Sequence, residues 1–239
     1  MIFNQSEFDL RCEWGIGGVM QLAPISDVVV IVDVLSFSTC VEIATNRGAI
    51  IFPYRWQDDT AIAYAQSVNA ILASRRRTAS AGYSLSPSSL ERIPVGTRLV
   101  LPSPNGATLS LQTGNTLTVS GCLRNCQAIA EFAQSCGTKI TVIPAGERWE
   151  DGSLRPSLED AIGAGAILSY LHGNPSPEAK AAMATFQMFR ADLASALNQC
   201  SSGKELISRG FSRDLELATA FNVSECIPIC RDRAYIRHI

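Results

Sequence analysis

The sequence predicts an α/β fold, a largely parallel sheet with helices on both faces. Strand-length apolar runs alternate with helix-length segments over most of the 239 residues. Val28-Val29-Val30-Ile31-Val32 is apolar at every position, as expected of a strand covered on both faces. Polar turns follow several strand ends, where open α/β sheets bind ligands.

The elements follow in order. Phe8 to Cys12 and Val28 to Asp33 read as strands, the second followed by a helix from Thr39 to Arg47. Ile50 to Tyr54 is a strand after the Gly48 stop, and Asp59 is the expected cap of a helix over Thr60 to Ala73. Ser74 to Gly96 is rich in Ser, Pro and Arg and has little periodicity, as a long functional loop would. Arg98 to Leu101 resumes a strand, and Pro102-Ser103-Pro104-Asn105-Gly106 turns it into a helix over Ala107 to Gln112. Strands at Leu117 to Val119 and Lys139 to Ile143 flank a helix over Leu123 to Cys136. A polar loop, Ala145 to Ser157, leads into a helix over Leu158 to Leu171.

From about residue 175 the chain turns mainly helical, within what is expected to be one domain spanning 1–239. Pro177 to Leu197 forms one long helix with Met183, Phe186 and Phe189 on its apolar side, a core stripe by pattern. Ser202-Gly203-Lys204-Glu205 resembles a capping box, and short helices should lie on either side of Gly210. Ile227-Pro228-Ile229 reads as a final edge strand, since proline cannot donate to a ladder.

Bulk properties narrow the function. The net charge is -2, and the one basic run, Arg75-Arg76-Arg77, lacks interleaved aromatics and reads as a solvated loop; no nucleic-acid partner is expected. No apolar segment reaches membrane-spanning length and the first residues lack a signal-peptide pattern, so a cytoplasmic protein without a membrane partner is expected. The eight cysteines lack the paired spacing of zinc ribbons, and most should be core thiols. A homodimer is the default expectation for a soluble enzyme of this size.

Three polar loops are candidate chemistry. The first, Asp33 to Thr39, sets one carboxylate beside hydroxyls and a helix start, which suits a metal or an anion; Asp33 also suits a plain turn cap. In the second, Ser103 to Gly106, Asn-Gly makes a tight turn whose N–H groups can meet an anion, although a bare turn is the commoner outcome. The third, Pro144 to Asp160, packs five carboxylates and two arginines into one loop and helix start. Arginine forks onto phosphate or carboxylate oxygens, and acids hold hard cations such as Mg²⁺. Ser157-x-x-Asp160 is also an ordinary N-cap pattern. Gly15-Ile16-Gly17-Gly18 is too short for a dinucleotide fingerprint.

Taken together, Val32 to Thr39, Pro104-Asn105-Gly106-Ala107-Thr108, Ala145-Gly146-Glu147, Ser157 to Asp160 with Gly163-Ala164-Gly165, and Gly210 to Asp214 through Ile227-Pro228 resemble the 2-phosphosulfolactate phosphatase family, the ComB-like proteins. The similarity runs over residues 8 to 233 in the family's order. It implies a three-layer α/β/α fold with a mixed sheet. The implied activity is Mg²⁺-dependent hydrolysis of 2-phospho-3-sulfolactate to 3-sulfolactate and phosphate. By position, Asp33, Glu159 and Asp160 become the metal acids, and Asp33 and Glu147 the catalytic carboxylates. Ser36, Ser38, Thr39, Asn105, Gly106 and Arg148 become substrate contacts, with Arg155 supplying further positive charge.

The family pattern usually has arginine after Asp-Val-Leu, where this chain has Ser36. Serine cannot replace a bidentate anion clamp, so a different phosphorylated hydroxy acid is an alternative substrate. A non-catalytic binder of a small anion on the same loops is a second alternative. A metal-dependent enzyme for an unphosphorylated hydroxy or keto acid is a third. Haloacid-dehalogenase phosphatases carry a second Asp two residues after the nucleophile, and Leu35 stands there, which favours water as the attacking group.

Overall fold

The computed structural model describes residues 2–56, 58–74 and 82–238. Among the described residues the α-helices are α1 (Gly15–Leu22), α2 (Phe37–Asn46), α3 (Asp59–Ser67), α4 (Pro87–Leu90), α5 (Gly106–Ser110), α6 (Cys126–Cys136), α7 (Leu158–Leu168), α8 (Pro177–Phe189), α9 (Leu193–Gln199), α10 (Ser201–Ser208) and α11 (Ser212–Thr219). The strands are β1 (Leu10–Cys12), β2 (Val28–Val32), β3 (Ile50–Tyr54), β4 (Ile71–Leu72), β5 (Arg98–Pro102), β6 (Leu117–Gly121), β7 (Ile140–Pro144), β8 (Glu147–Arg148), β9 (Leu154–Arg155), β10 (Pro228–Arg231) and β11 (Ala234–Arg237).

Nine strands form one mixed sheet in the order β1-β7-β2-β6-β10-β11-β3-β5-β4. β1, β7, β2 and β6 are parallel to one another, and so are β3, β5 and β4. The hairpin β10–β11 joins the two blocks through antiparallel pairings to β6 and β3. With helices on both sides, this is the expected three-layer α/β/α arrangement.

Alternate residues of β2 explain its unbroken apolar run. Val28, Val30 and Val32 pack in the core cluster that includes Ile129 of α6 and Ile162 of α7. Val29 and Ile31 pack with Val19 of α1 and Leu109 of α5 on the other face. All five are fully buried. In the second block, α2 covers Ile51, Leu99 and Leu101, whereas Phe52 and Val100 pack with Ala65 and Tyr64 of α3.

α7 and α8 approach closely at Gly165. A Cβ there would lie 2.0 Å from the carbonyl oxygen of Ala182 and 2.9 Å from Phe186 Cβ. Backbone cannot yield as a flexible side chain can, so Gly165→Ala should cost about 1–3 kcal/mol by overpacking. Urea unfolding checks this; an unchanged midpoint would mean that the two helices can part freely.

Several expected elements are corrected. The α3 cap is Asp58, whose carboxylate accepts from Thr60 and Ala61 N–H at 3.0 and 3.2 Å, not Asp59. α3 stops at Ser67, Asn69 adopts φ 47°, and the chain forms β4 where the helix was expected to continue. The long helix from Pro177 ends at Phe189; Asp192, accepting from Ser195 N–H at 3.0 Å, starts α9 separately. Cys200, not Ser202, caps α10, its Sγ accepting from Gly203 N–H at 3.3 Å.

The strand at Pro228 is interior rather than an edge. Pro228 is its first residue, a position where a missing N–H is tolerated, and β11 covers its other side. Asp232 and Arg233, at φ 48° and 61°, make the two-residue turn. Six of the eight cysteines are buried, as expected of core thiols. The Phe186 side chain is buried, with Met183 and Phe189 packed partly against the same core. Arg75-Arg76-Arg77 lies outside the described residues. Among the described residues no helix is long and apolar enough to cross a membrane.

Candidate active site

β2 delivers Asp33 to the start of a tight turn into α2, where it is 4% exposed. Its Oδ1 accepts from Phe37 N–H at 3.1 Å and its Oδ2 from Gly106 N–H at 2.8 Å. The Gly106 position admits no side chain, since a Cβ would lie 2.5 Å from the Phe37 ring and 2.8 Å from Asp33 Oδ2. The loops after β2 and β5 are therefore joined through one carboxylate.

Two expected substrate contacts brace this turn instead. Ser38 Oγ accepts from Asp33 N–H at 3.0 Å and donates to Ile31 C=O at 3.1 Å. Thr39 Oγ1 donates to Val34 C=O at 2.8 Å. Both side chains are fully buried, so a substrate does not reach them in this conformation. Ser36, also buried, stands at the N-terminal boundary of α2. The Gly106 N–H is committed to Asp33.

The ends of β2 and β7 lie side by side, Val32 opposite Pro144. Asp160 in the first turn of α7 ties the loops that follow them. Its Oδ1 accepts from Val34 N–H at 2.7 Å, and its Oδ2 accepts from Gly146 N–H and Ser157 Oγ, both at 2.9 Å. Glu159, its chain neighbour, is 2% exposed.

Glu147, on β8, accepts from Asn105 Nδ2 at Oε2, 2.9 Å away. Burial first, then the charges of Asp33 and Glu159, push its carboxyl from 4.5 up to about 7; Asn105 and Arg155 pull the other way. The Asp160 carboxyl is raised by the same causes, burial ahead of Asp33 and Glu159. Four acids thus share one buried electrostatic neighbourhood. Arg155 donates to Ser202 Oγ at 3.1 Å, and its guanidinium lies 5.6 Å from the Trp149 ring centroid.

The folded state keeps the Glu147 proton up to about pH 7, whereas the unfolded chain loses it near 4.5. The folded state therefore binds more protons in that window, and stability falls as pH rises through it. The stabilising contribution is full below pH 4.5 and gone above pH 7, with a span of about 3 kcal/mol. Urea unfolding in EDTA across pH 4.5–8 should show wild type losing stability relative to Glu147→Gln; parallel pH profiles would contradict the raised carboxyl.

Beside the Asn105–Glu147 pair lies a cavity of about 290 Å³, lined by Trp14, Gly15, Gly17, Glu147, Arg148 and Leu154 among others. Asp33 and Glu159 are not among its lining residues. Arg148 is exposed, with Nη1 donating to Gly152 C=O at 3.1 Å across the β8–β9 hairpin.

Among the described residues, no three His, Cys, Asp or Glu side chains converge as a group that could hold a metal ion. Asp33, Glu159 and Asp160, the metal acids implied by the resemblance, are thus not gathered into a preformed group of three. Both Asp160 oxygens are engaged in hydrogen bonding the loops. Sequence reasoning missed Trp14, Gly15 and Gly17 as cavity wall. The signal for them in the sequence is the glycine run Gly15-Ile16-Gly17-Gly18 shortly after β1, too short for a dinucleotide motif.

Comparison with known proteins places the chain. The family whose sequence profile matches residues 19–233 is described as 2-phosphosulpholactate phosphatase. The chain is 28% identical to a probable 2-phosphosulfolactate phosphatase of Carboxydothermus hydrogenoformans over 206 residues, 84% of each chain. It is 26% identical to the 2-phosphosulfolactate phosphatase of Methanothermobacter thermautotrophicus over 208 residues, 87% of this chain and 88% of that one. A probable 2-phosphosulfolactate phosphatase of a Synechococcus species is 31% identical over 208 residues, 81% of this chain and 84% of its own. The chain belongs to the 2-phosphosulpholactate phosphatase family, a family of phosphoric monoester hydrolases.

Proposed function

We propose that this protein hydrolyses a small phosphorylated hydroxy acid, of which 2-phospho-3-sulfolactate is the family's named example, with Mg²⁺ as cofactor. The observation that carries the proposal is Glu147, a half-buried carboxyl raised to about 7 by desolvation and by Asp33, and lining a cavity of substrate size. Such a carboxyl is protonated in part of the enzyme at neutral pH. Because Oε2 accepts from Asn105, the neutral form keeps its proton on Oε1. As water attacks phosphorus and the ester P–O bond breaks, the departing alcohol oxygen takes that proton.

The residues present fit a divalent cation. Like charges among buried acids call for one, and Mg²⁺ needs only one or two carboxylates, with waters and phosphate oxygens completing its shell. Asp33 and Glu159 are the acids that would hold it. When bound, it would neutralise charge on the phosphoryl oxygens. The backbone N–H groups of Phe37 and Gly106 fix both oxygens of Asp33, which suits a positioned ligand better than a nucleophile. A phosphate-release assay over a panel of monoesters, with Mg²⁺ and with EDTA, tests the proposal. Mg²⁺-dependent turnover of phosphorylated hydroxy acids is expected; stabilisation by the panel without turnover would favour the anion binder.

A further inference from the structure

We propose that Ser202, at the start of α10, is a positioning residue for the reaction: it fixes the Arg155 guanidinium beside Glu147. This rests on the phosphatase reading and adds which part of the fold holds that arginine in place. Arg155 is the cross-strand partner of Glu147 in the β8–β9 pair. Its charge reaches that carboxyl, and its Nη2 donates to Ser202 Oγ at 3.1 Å. The ring of Trp149 lies 5.6 Å from the same guanidinium. Trp149 is 58% exposed and Ser202 is 6% exposed, so the serine is the partner that packing holds still. A hydrogen bond from a charged donor is also the stronger kind.

The serine can hold an arginine because its backbone has no room to drift. α9 ends and α10 begins at a tight corner, where a Cβ on Gly203 would lie 1.7 Å from the Leu197 carbonyl oxygen. Leu197, Cys200 and Leu206 belong to the core cluster that also holds residues of β2 and α7. Cys200 Sγ accepts from Gly203 N–H at 3.3 Å, and its thiol proton has Leu197 C=O, at 3.1 Å, and the Glu159 carboxylate as acceptors. The same corner therefore meets the acid cluster at two places, Arg155 and Glu159. An arginine held in this way needs no reordering when charge spreads over the phosphoryl oxygens in the transition state. Released, its guanidinium would turn toward solvent, and a misplacement of about 1 Å can cost on the order of 10²-fold in rate.

A double-mutant cycle on phosphate release tests this, with 2-phospho-3-sulfolactate or, where faster, another monoester of the panel. Ser202→Ala should lower kcat/KM about tenfold, and Ser202→Thr, which keeps the hydroxyl, should restore most of it. Arg155→Ala should lower it further. Adding Ser202→Ala to Arg155→Ala should change nothing more, because the serine acts through the arginine. Additive losses, or an unchanged rate in Ser202→Ala, would overturn the proposal. NMR relaxation of the Arg155 Nε–H group, assigned with Arg155→Lys, provides an arm that needs no turnover. Its order parameter should drop in Ser202→Ala and not in Ser202→Thr. If wild type hydrolyses no monoester, that drop still supports Ser202 as the anchor of Arg155, and the phosphatase reading fails alone. The absence of a drop defeats the anchor itself.

Discussion

Asp33→Asn should reduce phosphate release by about 10³-fold while leaving a folded protein, the largest effect expected of any single substitution here. The carboxylate is fixed by Phe37 and Gly106 N–H, so its position is preserved by backbone geometry and not by a mobile contact. An amide of the same shape loses the negative charge and turns one acceptor into a donor. One of those two buried N–H groups then loses its partner, at about 1–3 kcal/mol. The variant should remain folded at room temperature with a lower unfolding midpoint. Steady-state kinetics and circular dichroism together check this. Turnover near the wild-type level would remove Asp33 from the chemistry and leave it as a turn brace.

Asp160→Ala should be the most destabilising change at the site, by about 3–5 kcal/mol. Its carboxylate satisfies two buried backbone N–H groups, Val34 and Gly146, and the Ser157 hydroxyl. Removing it strands two donors from loops that cannot reach water without moving, at about 1–3 kcal/mol each. Asp160→Asn should cost less, since one oxygen survives. A compensating gain limits the total: the variant removes a carboxyl whose ionised form is disfavoured by burial and by the charges of Asp33 and Glu159. Urea unfolding separates the two variants. Equal stability in both would show that charge relief, and not loop anchoring, dominates at this position.

Much of the fold was legible because burial writes itself into residue type. β2 reads as a two-faced strand because both of its faces are buried, and the alternation of elements implies parallel strands. The last strands were misread for a physical reason. Pro228 suggests an edge, yet a proline at a strand's first position leaves the rest of the ladder intact. The Asp232-Arg233 turn lacks the Asn-Gly signature of a tight hairpin, so β11 left no local trace. Four of the strand pairings, β1–β7, β2–β7, β6–β10 and β3–β11, join segments more than a hundred residues apart.

The site divides in the same way. Asp33, Glu147, Glu159 and Asp160 stood out as acids at strand ends and at a helix start, and the structure sets all four in one electrostatic neighbourhood. Ser38 and Thr39 had the right residue type and the right loop, but their hydroxyls are held by backbone groups of Ile31, Asp33 and Val34. Residue type does not reveal which partner a hydroxyl finds.

By itself the sequence determined the α/β class, the order of most elements, the acids and the family resemblance, because each is encoded locally in composition and spacing. Only the tertiary structure decided the division of labour among those acids. Burial and like charge raise Glu147, hydrogen bonds from two loops occupy Asp160, and the glycine run after β1 lines the same cavity as Glu147 and Arg148. Desolvation and Coulomb interaction depend on distances through space, and those exist only once the chain has folded.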